Sequence, residues 1–253
     1  REISTAKNLE WHERQNKCVA KTLATNILRY DLHRSTALVI LIVQYIVALD
    51  TKTGEEVWRT DRSGKMNDNP EMKKAYGTPL ITSVGGRDLV LSPGADWLYG
   101  YDPETGKELW KVSYGFLGFS IVPRPVVADE VVYFSTSFMK TELLAMQLGP
   151  EADSTPEIIW NYKRSVPRMP SPLLVGDAVY LFSDKGIATC LDRHTGEARW
   201  TDRLGGSFSS SPILADGKIY IGNREGEMFV IQPGDELDIL SKKFLKCYFP
   251  ISH

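Results

Sequence analysis

One short unit, written five times along the chain, constrains its folding more than any other feature. The stretches Val47 to Trp58 (VALDTKTGEEVW), Tyr99 to Trp110 (YGYDPETGKELW) and Thr189 to Trp200 (TCLDRHTGEARW) align without a gap, with Asp, Thr-Gly and Trp at fixed offsets. Leu144 to Trp160 carries the same unit with five residues inserted, and Phe229 to Leu240 is a degenerate copy with Leu240 at the Trp position. The Asp or Gln of successive copies falls at 50, 102, 147, 192 and 232. A second box precedes four of the copies, beginning at Thr78, Arg124, Ser171 and Ser211. Each box reads as strand, turn, strand, with turns at Gly85-Gly86, Asp129-Glu130, Gly176-Asp177 and Asp216-Gly217. Adding the hairpin around Asp-x-x-Thr-Gly makes four antiparallel strands per repeat of about 45 residues, the pattern of a β-propeller blade. The expected fold is therefore an all-β propeller with about five blades visible.

The repeated residue types have physical reasons. The carboxylates of Asp50, Asp102 and Asp192 can accept hydrogen bonds from backbone N–H groups about two residues on, and Gly54, Gly106 and Gly196 can take the left-handed conformation that closes the turn. The tryptophans Trp58, Trp110, Trp160 and Trp200 recur in register with the repeat, which assigns them to packing between neighbouring blades rather than to ligand stacking. An indole fills such a wedge while its N–H finds an acceptor.

Punctuation residues divide the chain. All 20 glycines lie at or after Gly54 and all 14 prolines at or after Pro70, so the first 53 residues obey different rules. Val19, Leu23 and Ile27 recur at helical spacing, and residues 4 to 30 are expected to be helical. We place the boundary near residue 36, with an atypical helical segment over 1–36 and the repeats over 37–253. The run Ala37 to Leu49 is 13 residues long, too short to span a bilayer as a helix, and its β-branched content suits buried strands.

Charge and motifs exclude several activities. Thirty Lys plus Arg against 32 Asp plus Glu leave a formal charge of -2, so no nucleic-acid footprint is expected. Three scattered cysteines, Cys18, Cys190 and Cys247, make neither a disulfide framework nor a zinc site. Nucleophile elbows, P-loops, HExxH helices and EF-hand loops do not occur in the sequence, and the four histidines are far apart.

The pattern Ala-x-Asp-x-x-Thr-Gly-Lys-x-x-Trp resembles the tryptophan-docking motif of quinoprotein-dehydrogenase-like propellers, the PQQ-like repeat family that also includes BamB-like outer-membrane assembly lipoproteins. The resemblance covers about residues 47 to 253, whereas the Gly-His and Trp-Asp pairing of WD40 repeats does not recur. It implies a ring of seven or eight blades, so this chain reads as a fragment, with Pro250-Ile251 where a following blade would open. It also implies a periplasmic or secreted location and two candidate functions. One is a non-catalytic binding or scaffold module for protein partners in the cell envelope, with a small-molecule ligand as a further option and no cofactor. The alternative is a PQQ- and calcium-dependent dehydrogenase oxidising alcohols or sugars, in which acids such as Asp96 or Asp184 would serve. The catalytic members' adjacent cysteines are missing here, and their calcium ligands match no residue set, so the binding module is the expected reading. A purely structural module or sensor ectodomain is a third class.

The loops leading from each Trp strand into the next blade, 61–77, 112–123, 162–170 and 202–210, are expected to converge on one face. They mix aromatic and cationic side chains of the kind found at interfaces. Tyr76, Phe119, Arg168 and Phe208 are the candidate residues for ligand or partner binding; no catalytic or metal-binding residue is assigned.

Overall fold

A computed structural model of the 253-residue chain describes residues 19–23, 45–50, 52–115 and 117–245. Its strands form five sheets, in each of which sequence neighbours lie side by side. The first holds β1 (Val19–Leu23), β2 (Tyr45–Leu49) and β3 (Glu56–Asp61), the second β4 (Leu80–Val84), β5 (Arg87–Pro93), β6 (Trp97–Tyr101) and β7 (Glu108–Ser113). The third holds β8 (Val126–Ala128), β9 (Val131–Ser135), β10 (Leu143–Gln147) and β11 (Glu157–Tyr162), the fourth β12 (Leu173–Val175), β13 (Ala178–Phe182), β14 (Ile187–Asp192) and β15 (Ala198–Arg203). The fifth holds β16 (Ile213–Ala215), β17 (Lys218–Gly222), β18 (Glu227–Gln232) and β19 (Asp238–Phe244). Apart from one short 3-10 turn at Pro70–Lys73, the described residues are all-β. Each of the four later sheets is the blade expected from one pair of sequence boxes.

The first sheet corrects the reading of the N-terminal segment. Val19–Leu23, placed in a helix by its spacing, is a strand paired antiparallel with β2, from Val19 opposite Leu49 to Leu23 opposite Tyr45. A helix satisfies only its own backbone. A strand here also satisfies the amides and carbonyls along the open edge of β2, which would otherwise lack partners. The rest of segment 1–36, residues 37–44 and Pro250-Ile251 lie outside the described residues.

The chain divides into two compact units, Arg1–Ile121 with Leu148–Glu157 and Val122–Gln147 with Ile158–His253. In the first unit, Ile46, Ala48, Trp58, Val90, Tyr99 and Tyr101 form the core, with the rings of Tyr99 and Tyr101 stacked 5.7 Å apart. The buried Arg62 is held by Pro93 O and Ser92 Oγ, both at 2.8 Å, and lies 5.1 Å from the Tyr99 ring. Those hydrogen bonds and the ring face compensate the desolvation of its guanidinium.

In the second unit the fourth sheet is covered on both sides. Along β13, Ala178, Tyr180 and Phe182 pack in a cluster with Ile219, Ile221, Phe229 and Ile231 of the fifth sheet, while Val179 and Leu181 pack with Tyr133, Leu143 and Ala145 of the third. All five residues of β13 are buried. That explains a continuous apolar run, AVYLF, where a half-exposed strand would alternate.

Candidate functional site

The turns of the repeat bring their signature residues together as the sequence implies. Oδ1 of Asp50 accepts from the backbone N–H groups of Lys52 and Thr53, at 2.8 and 2.9 Å, and Asp102 does the same for Glu104 and Thr105, both at 2.9 Å. Asp192 holds His194 and Thr195 at 2.9 and 3.1 Å. These bonds favour the charged form, so the Asp50 carboxyl lies below the usual carboxylate range. Asp192 drops to about 2, because the Arg199 guanidinium binds its other oxygen and adds to the two backbone N–H groups.

Each described tryptophan of the repeat then reaches the turn of the following repeat. Trp58 Nε1 donates to Pro103 O at 2.9 Å, Trp110 to Ala152 O at 3.0 Å, Trp160 to Arg193 O at 3.1 Å and Trp200 to Gly234 O at 3.0 Å. The glycines do more than close turns. A Cβ on Gly106 would stand 2.4 Å from the Trp58 ring, and one on Gly196 2.7 Å from the Trp160 ring, so glycine clears the floor on which the preceding indole lies. Gly54 has the same positive φ of 75° and nothing near its Cβ position. Small residues stand across from the indoles in the neighbouring strand: Ala48 pairs with Trp58, Gly100 with Trp110 and Cys190 with Trp200.

The joint between the third and fourth sheets adds charge. Arg193 O also accepts the Tyr133 hydroxyl at 3.1 Å, and the buried Arg193 guanidinium binds Asp129 and Asp177. Asp177 lies below the ordinary carboxylate range, first through its hydrogen bond with His194 and then through Arg193. The residue after the repeat's Asp thus becomes a cross-link that the motif does not encode.

The fifth copy departs from its expected alignment. A register shift between Val230 and Ile231 places Ser241 opposite Val230, whereas the equivalent Cys190 faces Trp200. The turn is one residue longer, so Leu240 occupies the bulge rather than the tryptophan position.

The four candidate binding residues separate into different environments. Tyr76 and Phe119 belong to the first unit, on segments that run together: Ala75 and Ile121 form a parallel bridge, Tyr76 N donates to Ile121 O at 2.6 Å, and Ser120 N donates to Lys74 O at 2.7 Å. Arg168 belongs to the second unit and is exposed. Its backbone is clamped on both sides, with its N–H donating to Asp184 Oδ2 at 2.8 Å and its carbonyl accepting from Ser137 Oγ at 2.7 Å. Phe208 lies in a core. It is fully buried, with ring centroids 6.0 Å from Phe182 and 5.9 Å from Phe229. An antiparallel bridge to Asn223 holds its backbone beside the fifth sheet and aims the ring into the joint with the fourth.

Beside Arg168, the β9–β10 turn places Phe138 and Met139 in solvent, and the β17–β18 turn places Arg224 Nη2 3.2 Å from Met169 Sδ. Phe138, Met139 and Arg224 sit in turns inside blades, where loop composition between blades gave no signal. Their common position, between the second and third strands of the third and fifth sheets, could have found them.

The acids considered for a calcium site belong to different units. Asp96 is a partly buried carboxyl in the first unit, its pKa raised by that burial, and Asp184 in the second is engaged by the Arg168 amide. Among the described residues no group of three or more His, Cys, Asp or Glu could hold a metal ion.

Four-stranded blades, each joined to the next by an indole donating to a turn carbonyl, define a β-propeller of the tryptophan-docked, PQQ-like class. The family model described as outer membrane protein assembly factor BamB matches residues 43–235, and the chain belongs to that family. The outer membrane protein assembly factor BamB of Shewanella oneidensis is 25% identical over 199 residues, 72% of this chain and 48% of that protein. The chain spans about half the length of the curated relatives it matches. Among solved structures, BamB from Moraxella catarrhalis has a TM-score of 0.59 at 22% identity, covering 80% of this chain and 57% of that one. Quinohemoprotein alcohol dehydrogenase from Comamonas testosteroni has a TM-score of 0.61 at 16% identity, covering 93% of this chain and 46% of that one. Both structural likenesses speak for the fold alone.

Proposed function

We propose that this chain is a non-catalytic binding module of the cell envelope, acting in the periplasm with protein partners in outer-membrane protein assembly. The observation that carries the reading is the family match over residues 43–235. Support also comes from how the repeat spends its chemistry. The Asp and Trp side chains that recur, and the glycines beside them, are committed to turns and joints between sheets, which leaves recognition to the loops. Within 37–253, Tyr76 and Phe119 of the first unit and Arg168 of the second are proposed contact positions, each taken within its own unit.

Two measurements test the reading. Deleting the gene in its own host should lower the outer-membrane protein content, and restoring it should bring that content back. Titrating the full protein with PQQ and calcium, followed by a dye-linked assay with alcohols and sugars, should give no turnover. Unchanged outer-membrane content together with turnover would replace the binding module by the dehydrogenase.

A further inference from the structure

We propose that Phe138, Met139, Arg168, Met169 and Arg224 form a docking row for an extended segment of a partner protein in which carboxylates alternate with large apolar side chains. The proposal rests on the binding-module reading above and names the chemistry of the partner. Three loops of the second unit build the row. The turn between β9 and β10 supplies Phe138 and Met139, the connection between β11 and β12 supplies Arg168 and Met169, and the turn between β17 and β18 supplies Arg224. The loops are tied together, with Ser137 Oγ on Arg168 O, the Arg168 guanidinium 6.0 Å from the Phe138 ring, and Arg224 against Met169. Arg224 N in turn donates to Ser207 O at 2.8 Å, which anchors its turn next to the buried Phe208.

The row is apolar where it is most open. Phe138 is 50% exposed, Met139 56% and Met169 39%, an unusual concentration of large apolar side chains in solvent-facing loops. Met139 also holds a φ of 89°, a conformation L-residues rarely adopt and one that clusters at functional loops.

Charge decides what such a row accepts. The acids in these loops are already engaged by protein donors. Glu142 is 3% exposed and faces Lys140 and Asn161, Asp184 takes the Arg168 amide, and Glu225 Oε2 takes the Ser207 amide at 2.9 Å. Lys163, 4.0 Å from the same Glu142, adds a second cation to one carboxylate. The excess is positive and lies among apolar side chains, which selects a partner carrying both carboxylates and apolar groups. Guanidinium forks bind carboxylates bidentately, and methionine adapts to different side chains. A bilayer surface would be met by a broad apolar face flanked by lysines, whereas here arginines interrupt a narrow row.

The test uses fluorescence anisotropy of a labelled synthetic peptide of about twelve residues, alternating Glu with Leu and Phe, against the full chain. The same peptide with Lys for Glu, and vesicles of phosphatidylglycerol in phosphatidylcholine, are the comparison probes. The acidic peptide should bind, with affinity falling as salt is raised, and Arg168→Glu and Arg224→Glu should each weaken it about tenfold or more. Met139→Ser should weaken it less. Both arginines are exposed, and an unchanged melting temperature for each variant confirms that folding is not the cause. Equal binding by the two arginine variants, preference for the Lys peptide, or vesicle binding without peptide binding would each overturn the proposal. If gene deletion lowers outer-membrane protein content but restoration with Arg168→Glu and Arg224→Glu works as well as wild type, the docking row fails while the functional reading stands.

Discussion

The fourth and fifth sheets come from the same two sequence boxes, and they play different parts in the joint between them. The fourth sheet donates: Trp200 leaves β15 and gives its N–H to Gly234 O in the turn of the fifth. The fifth receives on the backbone carbonyl of Gly234, whose Cβ position meets nothing within 4 Å. Its turn has Gln232-Pro233-Gly234 where the fourth has Asp192-Arg193-His194, one extra residue, and Ser241 across from Val230 instead of an indole. Burial follows the same division. Both faces of β13 are covered, but Ile213 is 60% exposed, Leu214 45% and Ile239 42% on the fifth sheet. The fourth turn thus carries the signature residues together with the indole that crosses to the fifth sheet, and the fifth carries the carbonyl that accepts it.

Paired substitutions would break or sharpen this contrast. The largest effect is expected at the joint itself, where Phe208→Ala should cost about 3 to 5 kcal/mol in denaturant unfolding, against under about 0.5 kcal/mol for Ile213→Ala on the exposed face. Next come the turn glycines. Gly196→Ala adds a left-handed penalty at φ 74° to a Cβ 2.7 Å from Trp160, which should cost about 2 to 4 kcal/mol. Gly234→Ala, with nothing within 4 Å and a φ outside the left-handed region, should be close to neutral. Equal losses at the two glycines would refute the distinction between a turn glycine on which an indole lies and one on which none does.

Trp200→Ala should cost about 2 to 3 kcal/mol, because the indole is half-buried and its hydrogen bond spans two sheets, whereas Leu240→Ala should cost less than about 1 kcal/mol. Matching midpoints for the two variants would restore Leu240 to the tryptophan position. The smallest effect is with pH. Asp192 has a folded pKa of about 2, below its unfolded value, so its contribution is complete above the unfolded pKa and fades as pH falls through the folded one. A carboxyl-detected NMR titration should place its midpoint near 2 and show it rising in Arg199→Ala. Gln232 has no carboxylate, so the fifth turn has no corresponding titration.

Much of the fold was legible because its requirements are local. An Asp that holds two amides, a Gly at positive φ and an indole with one acceptor leave the same marks wherever the repeat recurs. The hairpins of the second box were legible too, and even Asp129-Glu130, with no glycine, adopts φ values of 47° and 62°. The candidate site was less so. Aromatic and basic loop residues look alike in sequence whether they face water or a core, which is why Phe208 and Arg168 entered as equals and ended apart. Val19–Leu23 shows the same limit, since apolar spacing at four residues suits a helix while an open strand edge nearby decides for a strand.

What the sequence determined by itself was therefore the blade: four strands, their turns, and the tryptophan that leaves every copy but the fifth. Those depend on contacts within about 45 residues, so a repeated pattern records them. The tertiary structure alone decided which carbonyl each indole finds, that Arg193 bridges Asp129 and Asp177, and that Phe138, Arg168, Met169 and Arg224 meet in one row. These pairings join residues tens of positions apart through the stacking of sheets, and no spacing along the chain encodes a distance that only packing sets.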